Sequence, residues 1–119
     1  IAALSVNFDQ WLEVDIAKLE SALTDHLHHP ASPDIRDGLY RRSHDLKGLG
    51  TTYEFPLISR IALSLCLWLE TPRSQAPLGK ALITAHVTAI RHAKNQGMRS
   101  DKDPRGRQLA ETLEAQVRS

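Results

Sequence analysis

One histidine of this chain lies where it could react with a partner rather than support a core. His44 belongs to the run Ser-His-Asp-Leu-Lys-Gly-Leu-Gly, residues 43–50. At about 100° of rotation per helical residue, His44 falls about 180° from Ile35, which begins the apolar stripe of the same predicted helix. The imidazole is therefore expected to face solvent. Near neutral pH much of it is unprotonated, and its free ring nitrogen can attack an electrophile such as phosphorus.

Two residues near His44 would suit a phosphorylated imidazole. Lys47 follows by one helical turn on the same side, so its ammonium could balance the charge of a phosphoryl group. Gly48, four residues after the histidine, carries no side chain that would crowd the ring. On periodicity alone, an ordinary surface histidine on an amphipathic helix is the more common explanation of this pattern.

The other candidate sites are weaker. His26 and His29 are three residues apart and could share a metal ion, but histidines in the last turn of a helix also cap its carbonyls and favour its negative end. We expect this capping role and no metal site. Ser43-His44-Asp45 is not a catalytic triad, because neighbouring residues on a helix point about 100° apart.

Composition describes a globular chain that fits one domain, residues 1–119. Of the 119 residues, 41% are apolar and 24% charged, enough for a single hydrophobic core. The net charge of +1 and the 5% of aromatic residues argue against a nucleic-acid partner. No run approaches the about 18 apolar residues of a membrane helix. The single Cys66 fits a reducing interior, so a cytoplasmic location is expected.

The elements that must position His44 are predicted from apolar spacing. Helices are expected from about 7 to 29, 32 to 53, 56 to 70, 78 to 96, and from 103 onward. Asn7, Ser32 and Asp103 are the predicted N-caps, and Gly97 the C-terminal glycine of the fourth helix. No stretch alternates with period two, so no sheet is expected. The predicted fold is all-α, an up-and-down four-helix bundle with an accessory helix.

The same spacing predicts which side chains are buried. The inward rows of the first and fourth helices are Phe8, Leu12, Ile16, Leu19, Leu23 and Leu27, and Leu78, Leu82, Ile83, Ala85, Val87, Ala89, Ile90 and Ala93. Leu63 and Leu67 fall outside the apolar face of the third helix, so they are either covered by a neighbour or exposed as a patch. His86 and His92 are expected at the boundary or the surface of the fourth helix.

Gly48 and Gly50 each cost about 1 kcal/mol in a helix interior, so each needs a reason. We expect access to His44 for Gly48 and close helix packing for Gly50.

His44-Asp45-Leu46-Lys47-Gly48 forms a His-x-x-Lys-Gly motif. It resembles the motif of histidine-containing phosphotransfer (HPt) domains, which the first domain of chemotaxis histidine kinases shares. The likeness spans roughly residues 35–70, including the turn after the motif and the leucine-rich end of the next helix. One departure is Glu54, ten residues after the histidine, where the family commonly has glycine.

The resemblance implies that His44 accepts a phosphoryl group and that Lys47 and Gly48 support it. Without a glycine-rich phosphate loop, the chain is expected to be a phosphocarrier of a multistep phosphorelay rather than an enzyme. No cofactor of its own is expected, since Mg²⁺ would belong to the partner receiver domain. The expected partners are response-regulator receiver domains and a sensor or hybrid histidine kinase, with the carrier acting as a monomer.

Docking would use the face around His44 and the third helix. The candidate contact residues are Tyr40, Arg41, Thr51, Leu63 and Leu67. Two alternatives remain open. One is a helical interaction or scaffold module with an inert surface histidine; the other is a phosphotransfer domain that forms part of a larger hybrid or chemotaxis kinase.

Overall fold

The structure, a computed structural model, describes the backbone of residues 2–119 and the side chains of residues 7–119. The five α-helices are α1 Ala2–His28, α2 Pro33–Thr52, α3 Pro56–Leu69, α4 Pro77–Asn95 and α5 Pro104–Arg118. A 3₁₀ turn, Pro72–Gln75, lies between α3 and α4. No strand occurs within residues 2–119, which confirms the all-α prediction.

Proline at the first helical position begins each of α2 to α5. The Ser32 hydroxyl accepts the Ile35 N–H at 3.3 Å, and the Asp103 carboxylate accepts the Arg105 N–H at 2.9 Å. Both predicted N-caps are therefore confirmed. The predicted cap at Asn7 is wrong, because α1 already begins at Ala2. The alanines and leucine before Asn7 are strong helix formers, so the helix extends upstream.

Gly97 ends α4 as predicted, with a φ of 65° in the left-handed region. The Met98 N–H donates to the Ala93 carbonyl at 2.9 Å, and the Gly97 N–H to the Lys94 carbonyl at 3.2 Å. These are the paired hydrogen bonds of a Schellman motif. The turn brings the next carbonyl, that of Arg99, to the start of α3, where it accepts the Leu57 N–H at 2.8 Å.

Helices α1 to α4 form a closed ring in which each contacts the next and α4 returns to α1. Their short connectors make consecutive helices antiparallel. The accessory helix α5 packs against α3 and α4. It runs in the same direction as α3, since Gly106 lies against Leu57 and, further along, Arg60 pairs with Glu114 at 2.7 Å.

The core fills the space inside this ring. Its largest fully buried side chains are Leu12, Ile16, Leu19, Leu39, Leu46, Leu57, Ile58, Ile61, Leu65, Ile83, Ile90 and Met98. Two predicted core residues are exposed instead, Leu27 and Leu78, the latter by 88%. On α1 the next inward position after Leu23 is His26, three residues later, so Leu27 falls outside the inward row. On α4 the inward position of the first turn is Gly79, which packs against the 3₁₀ turn.

His86 is fully buried, and the prediction that it lies at the boundary or surface is wrong. Its Nδ1 lies 2.8 Å from the Leu82 carbonyl, and its Nε2 lies 2.8 Å from the Ser64 hydroxyl. A carbonyl can only accept, so Nδ1 carries the proton and Nε2 accepts from Ser64. Both ring nitrogens are thus satisfied, which allows an imidazole in the core. His92 is exposed, as predicted.

No helix within residues 2–119 has both the length and the apolar character needed to cross a bilayer.

Candidate functional site

His44 lies near the middle of α2, on the side that faces solvent. Its neighbours Ser43 and Leu46 are buried on the opposite side. The Ser43 hydroxyl donates to the Leu39 carbonyl at 2.9 Å, so it is satisfied within the helix. The predicted orientation of the imidazole is confirmed.

The ring of His44 forms no hydrogen bond with the side chains of residues 7–119. In this part of the chain the hydrogen-bonded histidine rings are those of His28 and His86. The Tyr40 ring lies one turn before His44, with 6.3 Å between the ring centroids and 34° between the planes. Aromatic rings interact at such distances. Tyr40 therefore bounds the imidazole on the side toward the start of α2.

Tyr40 is itself tied to the neighbouring helix. Its hydroxyl donates to Glu70 Oε2 at 2.8 Å, and Glu70 is the C-cap residue of α3. The hydrogen bond to this carboxylate raises the pKa of Tyr40 above its usual value. The side chain beside His44 is thus held by a contact between α2 and α3.

Lys47 is half-buried and lies close enough to Cys66 on α3 for its charge to act on the thiol. Burial raises the pKa of Cys66 to about 11, and Lys47 opposes that rise. The thiol therefore stays protonated near neutral pH and is a poor nucleophile. None of the ion pairs among residues 7–119 includes Lys47. Its ammonium can pair with an anion near His44.

Gly48, the last residue of the motif, and Gly50, two residues after it, have different surroundings. A Cβ atom at Gly48 would meet no atom within 4 Å, so the space beside the histidine is open. A Cβ at Gly50 would lie 2.6 Å from the backbone nitrogen and from Oγ of Ser59. That approach lets the Ser59 hydroxyl accept the Thr51 N–H at 2.7 Å. The predicted close packing at Gly50 is confirmed.

Glu54 has a φ of 68°, the left-handed conformation that glycine adopts at little cost. Its N–H donates to the Thr51 carbonyl at 3.1 Å, and its carbonyl accepts from Arg99 Nη1 at 3.1 Å. The backbone at this position therefore has a glycine-like conformation although the residue is glutamate.

The predicted docking residues lie on three different sides of the molecule. Tyr40 and Thr51 contact α3 and flank Lys47 on one side of His44. Arg41 lines a groove of about 450 Å³ between α1 and α2, on the other side.

Leu63 and Leu67 lie farther along the surface, on the outer side of α3. They are 43% and 49% exposed, so of the two possibilities that the sequence left open, covered or exposed, the second is correct. Both line a groove of about 240 Å³ between α3 and α5, whose walls include Arg60, Glu114 and Val117.

One exposed apolar cluster was missed by the sequence reasoning. Trp11 and Val14 on α1 are exposed, and the Trp11 ring lies 6.1 Å from the ring of Tyr53 at the end of α2. Phe8 completes the cluster at 5.6 Å from Tyr53. Trp11 and Val14 fall outside the inward row of α1, and this position in the sequence could have predicted that they are exposed.

The histidines at the end of α1 do not share a site. The ring that caps a carbonyl is that of His28, whose Nδ1 donates to the Thr24 carbonyl at 2.9 Å. The capping role expected of His26 is wrong, because both its ring nitrogens are buried without a hydrogen-bond partner among residues 7–119. His26 is buried, whereas His29 is exposed. Among the described residues, no group of three or more histidine, cysteine, aspartate or glutamate side chains could hold a metal ion.

Comparison with protein-family models, with curated proteins and with solved structures finds no match to this chain.

Proposed function

We propose that the protein is an HPt-type histidine phosphocarrier of a two-component multistep phosphorelay, a carrier rather than an enzyme. His44 would accept a phosphoryl group and pass it to or from the aspartate of a receiver domain. The proposal rests on one observation: the exposed imidazole of His44 has open space over Gly48, and the ammonium of Lys47, one turn away, has no ion pair among residues 7–119. The carrier would act as a monomer in the cytoplasm.

In the proposed step, the unprotonated ring nitrogen of His44 attacks the phosphorus of an aspartyl phosphate in line with the leaving oxygen. A nitrogen–phosphorus bond forms as the phosphorus–oxygen bond breaks, and the aspartate leaves as a carboxylate. The imidazole proton stays on the other ring nitrogen. Lys47 offsets the negative charge of the transferred group, while the receiver domain supplies Mg²⁺ and most of the stabilisation of the transition state.

The carrier itself would contribute position. Polar contacts join α2 to α3 near the start and near the end of α2, and His44 lies between them. Near its start Arg36 Nη2 donates to the Leu69 carbonyl at 2.5 Å, and near its end the Thr51 N–H donates to Ser59 Oγ at 2.7 Å. A helix fixed at both ends presents a reacting atom in a defined place, which is what transfer between two proteins requires.

The proposed receiver contact is the side of His44 that includes Tyr40, Lys47 and Thr51. These residues lie on the same side of α2, and the Tyr40 ring lies 6.3 Å from the imidazole, whereas Leu63 and Leu67 line a separate groove. Arg41 would contact the receiver from the opposite side of the histidine.

Phosphotransfer from a labelled receiver domain tests the proposal. Wild type is expected to gain label that is labile in acid and stable in base, as a phosphohistidine is. His44→Gln should gain none, whereas the matched control His92→Gln, at an exposed histidine of α4, should be labelled like wild type. Equal labelling of wild type and His44→Gln would overturn the assignment to His44.

Lys47→Met tests the supporting role. The variant keeps most of the apolar stem of the half-buried side chain and removes its charge, so the helical circular dichroism and the melting temperature should stay close to wild type. The rate of transfer should fall, by about tenfold if Lys47 contributes one charge-assisted contact. A large loss of stability with unchanged transfer would make Lys47 structural.

The exposed apolar cluster favours a second candidate, a helical interaction module in which His44 is inert. Trp11 and Val14 on α1 present apolar surface to solvent. Failure of several phosphorylated receivers to label the folded wild-type protein would support this alternative.

A further inference from the structure

A groove lies where α4 begins and α5 ends, and the indole of Trp68 on α3 forms its inner wall. Its volume of about 580 Å³ is typical of sites for small organic ligands. The described residues that line it belong to α3, the 3₁₀ turn, α4 and α5, and none belongs to α2. The groove is therefore separate from His44, and a ligand in it would not depend on the proposed phosphotransfer.

Much of the lining is apolar. Leu78, Leu82 and Ala85 follow one side of α4 over two turns, about 10 Å along the helix axis. Leu78 is almost fully exposed, although leucine is strongly apolar. An apolar ligand that covers these side chains would remove their surface from water.

The indole of Trp68 is a fixed wall. Trp68 is buried, and its Nε1–H donates to the Gly79 carbonyl at 3.0 Å, which ties α3 to the first turn of α4. The Cζ atom of Arg73 lies 5.1 Å from the centre of the indole ring, within the range of a cation–π interaction. The wall therefore has a cation at its edge.

Arg73 gives the rim of the groove a positive charge. Its Nη2 donates to the Val117 carbonyl at 2.9 Å, which is a neutral acceptor. None of the ion pairs among residues 7–119 includes Arg73, and no aspartate or glutamate is among the described residues that line the groove. Because its contacts with Trp68 and Val117 hold the guanidinium in place, its remaining N–H groups are positioned to bind a carboxylate.

We propose that this groove binds a free medium-chain fatty acid, with the carboxylate on Arg73 and the alkyl chain along α4. Charge complementarity at the rim and apolar surface over about 10 Å match the two parts of such a ligand. A protein segment is a poorer fit. Stable protein–protein contacts bury about 800 Å² on each partner, more than these two helical turns can offer.

Fluorescence of the folded protein tests the site with octanoate at pH 7, below the concentration at which octanoate forms micelles. In a Trp11→Phe background Trp68 is the only tryptophan, and its emission is expected to change saturably, with a dissociation constant on the order of 100 μM. Octanol has the same chain without the charge and should bind about tenfold more weakly. No saturable change would overturn the proposal. Equal binding of octanoate and octanol would also overturn it, because an apolar surface that a protein segment covers would behave in that way.

Variants in the same background locate the ligand. Arg73→Met should weaken octanoate binding about tenfold and leave octanol binding unchanged, because it removes the charge and keeps most of the apolar stem. Leu78→Ser should weaken both ligands about fivefold, and it keeps the test valid if Arg73→Met folds poorly. The control Leu67→Ser, at an exposed leucine of the groove between α3 and α5, should leave both unchanged. Unchanged octanoate binding in Arg73→Met, or equal losses in the two leucine variants, would overturn the site.

Discussion

The hydroxyl of Tyr40 donates to Glu70 Oε2 at 2.8 Å, and this bond links the residue beside His44 to the end of α3. The Tyr40 ring bounds the imidazole at 6.3 Å, so the orientation of Tyr40 affects the space in which the imidazole can turn. A carboxylate on α3 thereby acts on the candidate site without touching it. Glu70 is a positioning residue in this arrangement.

Glu70→Gln is expected to lower the pKa of Tyr40 toward its usual 10.0, because the carboxylate that disfavours ionisation of the hydroxyl is removed. Tyrosinate absorbance, followed from about pH 8 to 12, measures the change in a Tyr53→Phe background, since Tyr53 also titrates there. Glu111→Gln, at an exposed carboxylate of α5, is the control and should leave the titration unchanged. An identical midpoint in wild type and Glu70→Gln would show that the bond does not form in solution.

Alanine at Gly48 and alanine at Gly50 should have opposite effects on stability. Gly48→Ala is expected to raise the free energy of unfolding by about 0.5–1 kcal/mol, because the new methyl meets no atom within 4 Å and alanine favours the helix. Gly50→Ala should lower it by about 1–3 kcal/mol, because its methyl would lie 2.6 Å from the Ser59 backbone nitrogen. Urea unfolding of the pair measures both values. Equal effects would contradict the difference in packing.

Glu54→Gly should stabilise the protein by about 0.5–1 kcal/mol. The φ of 68° costs a non-glycine residue about 1–2 kcal/mol, and the greater freedom of glycine in the unfolded chain offsets part of the gain. Thr52→Gly, two residues earlier in the last turn of α2, should instead destabilise, because its backbone is helical. Denaturant unfolding of both variants distinguishes relief of backbone strain from a general tolerance of glycine at this turn.

Stability should fall as the pH drops below about 6.5. Burial lowers the pKa of His26 and of His86 from the usual 6.5, and the charges of Arg36 and Lys80 lower that of His26 further. The unfolded chain therefore binds more protons than the folded one below this pH, so the free energy of unfolding decreases by up to about 1.4 kcal/mol per pH unit for each histidine. The loss continues until the pH passes the lowered pKa values of the folded state.

Urea unfolding in phosphate-free buffer at several pH values from about 7.5 to 5 measures this slope. His86→Gln should reduce it, whereas the exposed control His92→Gln should not. Carboxylates act in a lower window: hydrogen bonding to Arg91 lowers the pKa of Glu13 from 4.5 to about 2, so its contribution is lost only as the pH falls through that range. A free energy of unfolding that stays the same from about pH 7.5 to pH 5 would contradict the role of the histidines.

Local signals predicted the helix that carries the candidate site. Ser32 followed by proline specifies the start of α2, and the apolar stripe on α2 determines that His44 faces outward. Both depend on residues within a few turns of one another, so the sequence is sufficient. The difference between Gly48 and Gly50 is also local in origin, because only one of the two lies on the side that meets α3.

Features that depend on distant residues were not predictable in this way. The burial of His86 requires Ser64, which lies on another helix, to supply a hydrogen bond. Leu78 is exposed because Gly79 takes the inward position against the 3₁₀ turn, a contact between two elements that no periodicity describes. The buried ring nitrogens of His26 and Nη1 of Arg36, which have no hydrogen-bond partner among residues 7–119, likewise appear only when the ends of α1 and α2 are brought together.

The bond between the Leu57 N–H and the Arg99 carbonyl has a consequence for biosynthesis. The ribosome makes α3 well before it makes Arg99 and α5, which packs along the same side of α3. In a nascent chain that has emerged only as far as α4, the Leu57 N–H therefore lacks its acceptor on Arg99. The side of α3 that later contacts α5 is still exposed. Helix α3, against which the helix that carries His44 packs, therefore reaches its final packing only after residues 99–118 have been translated.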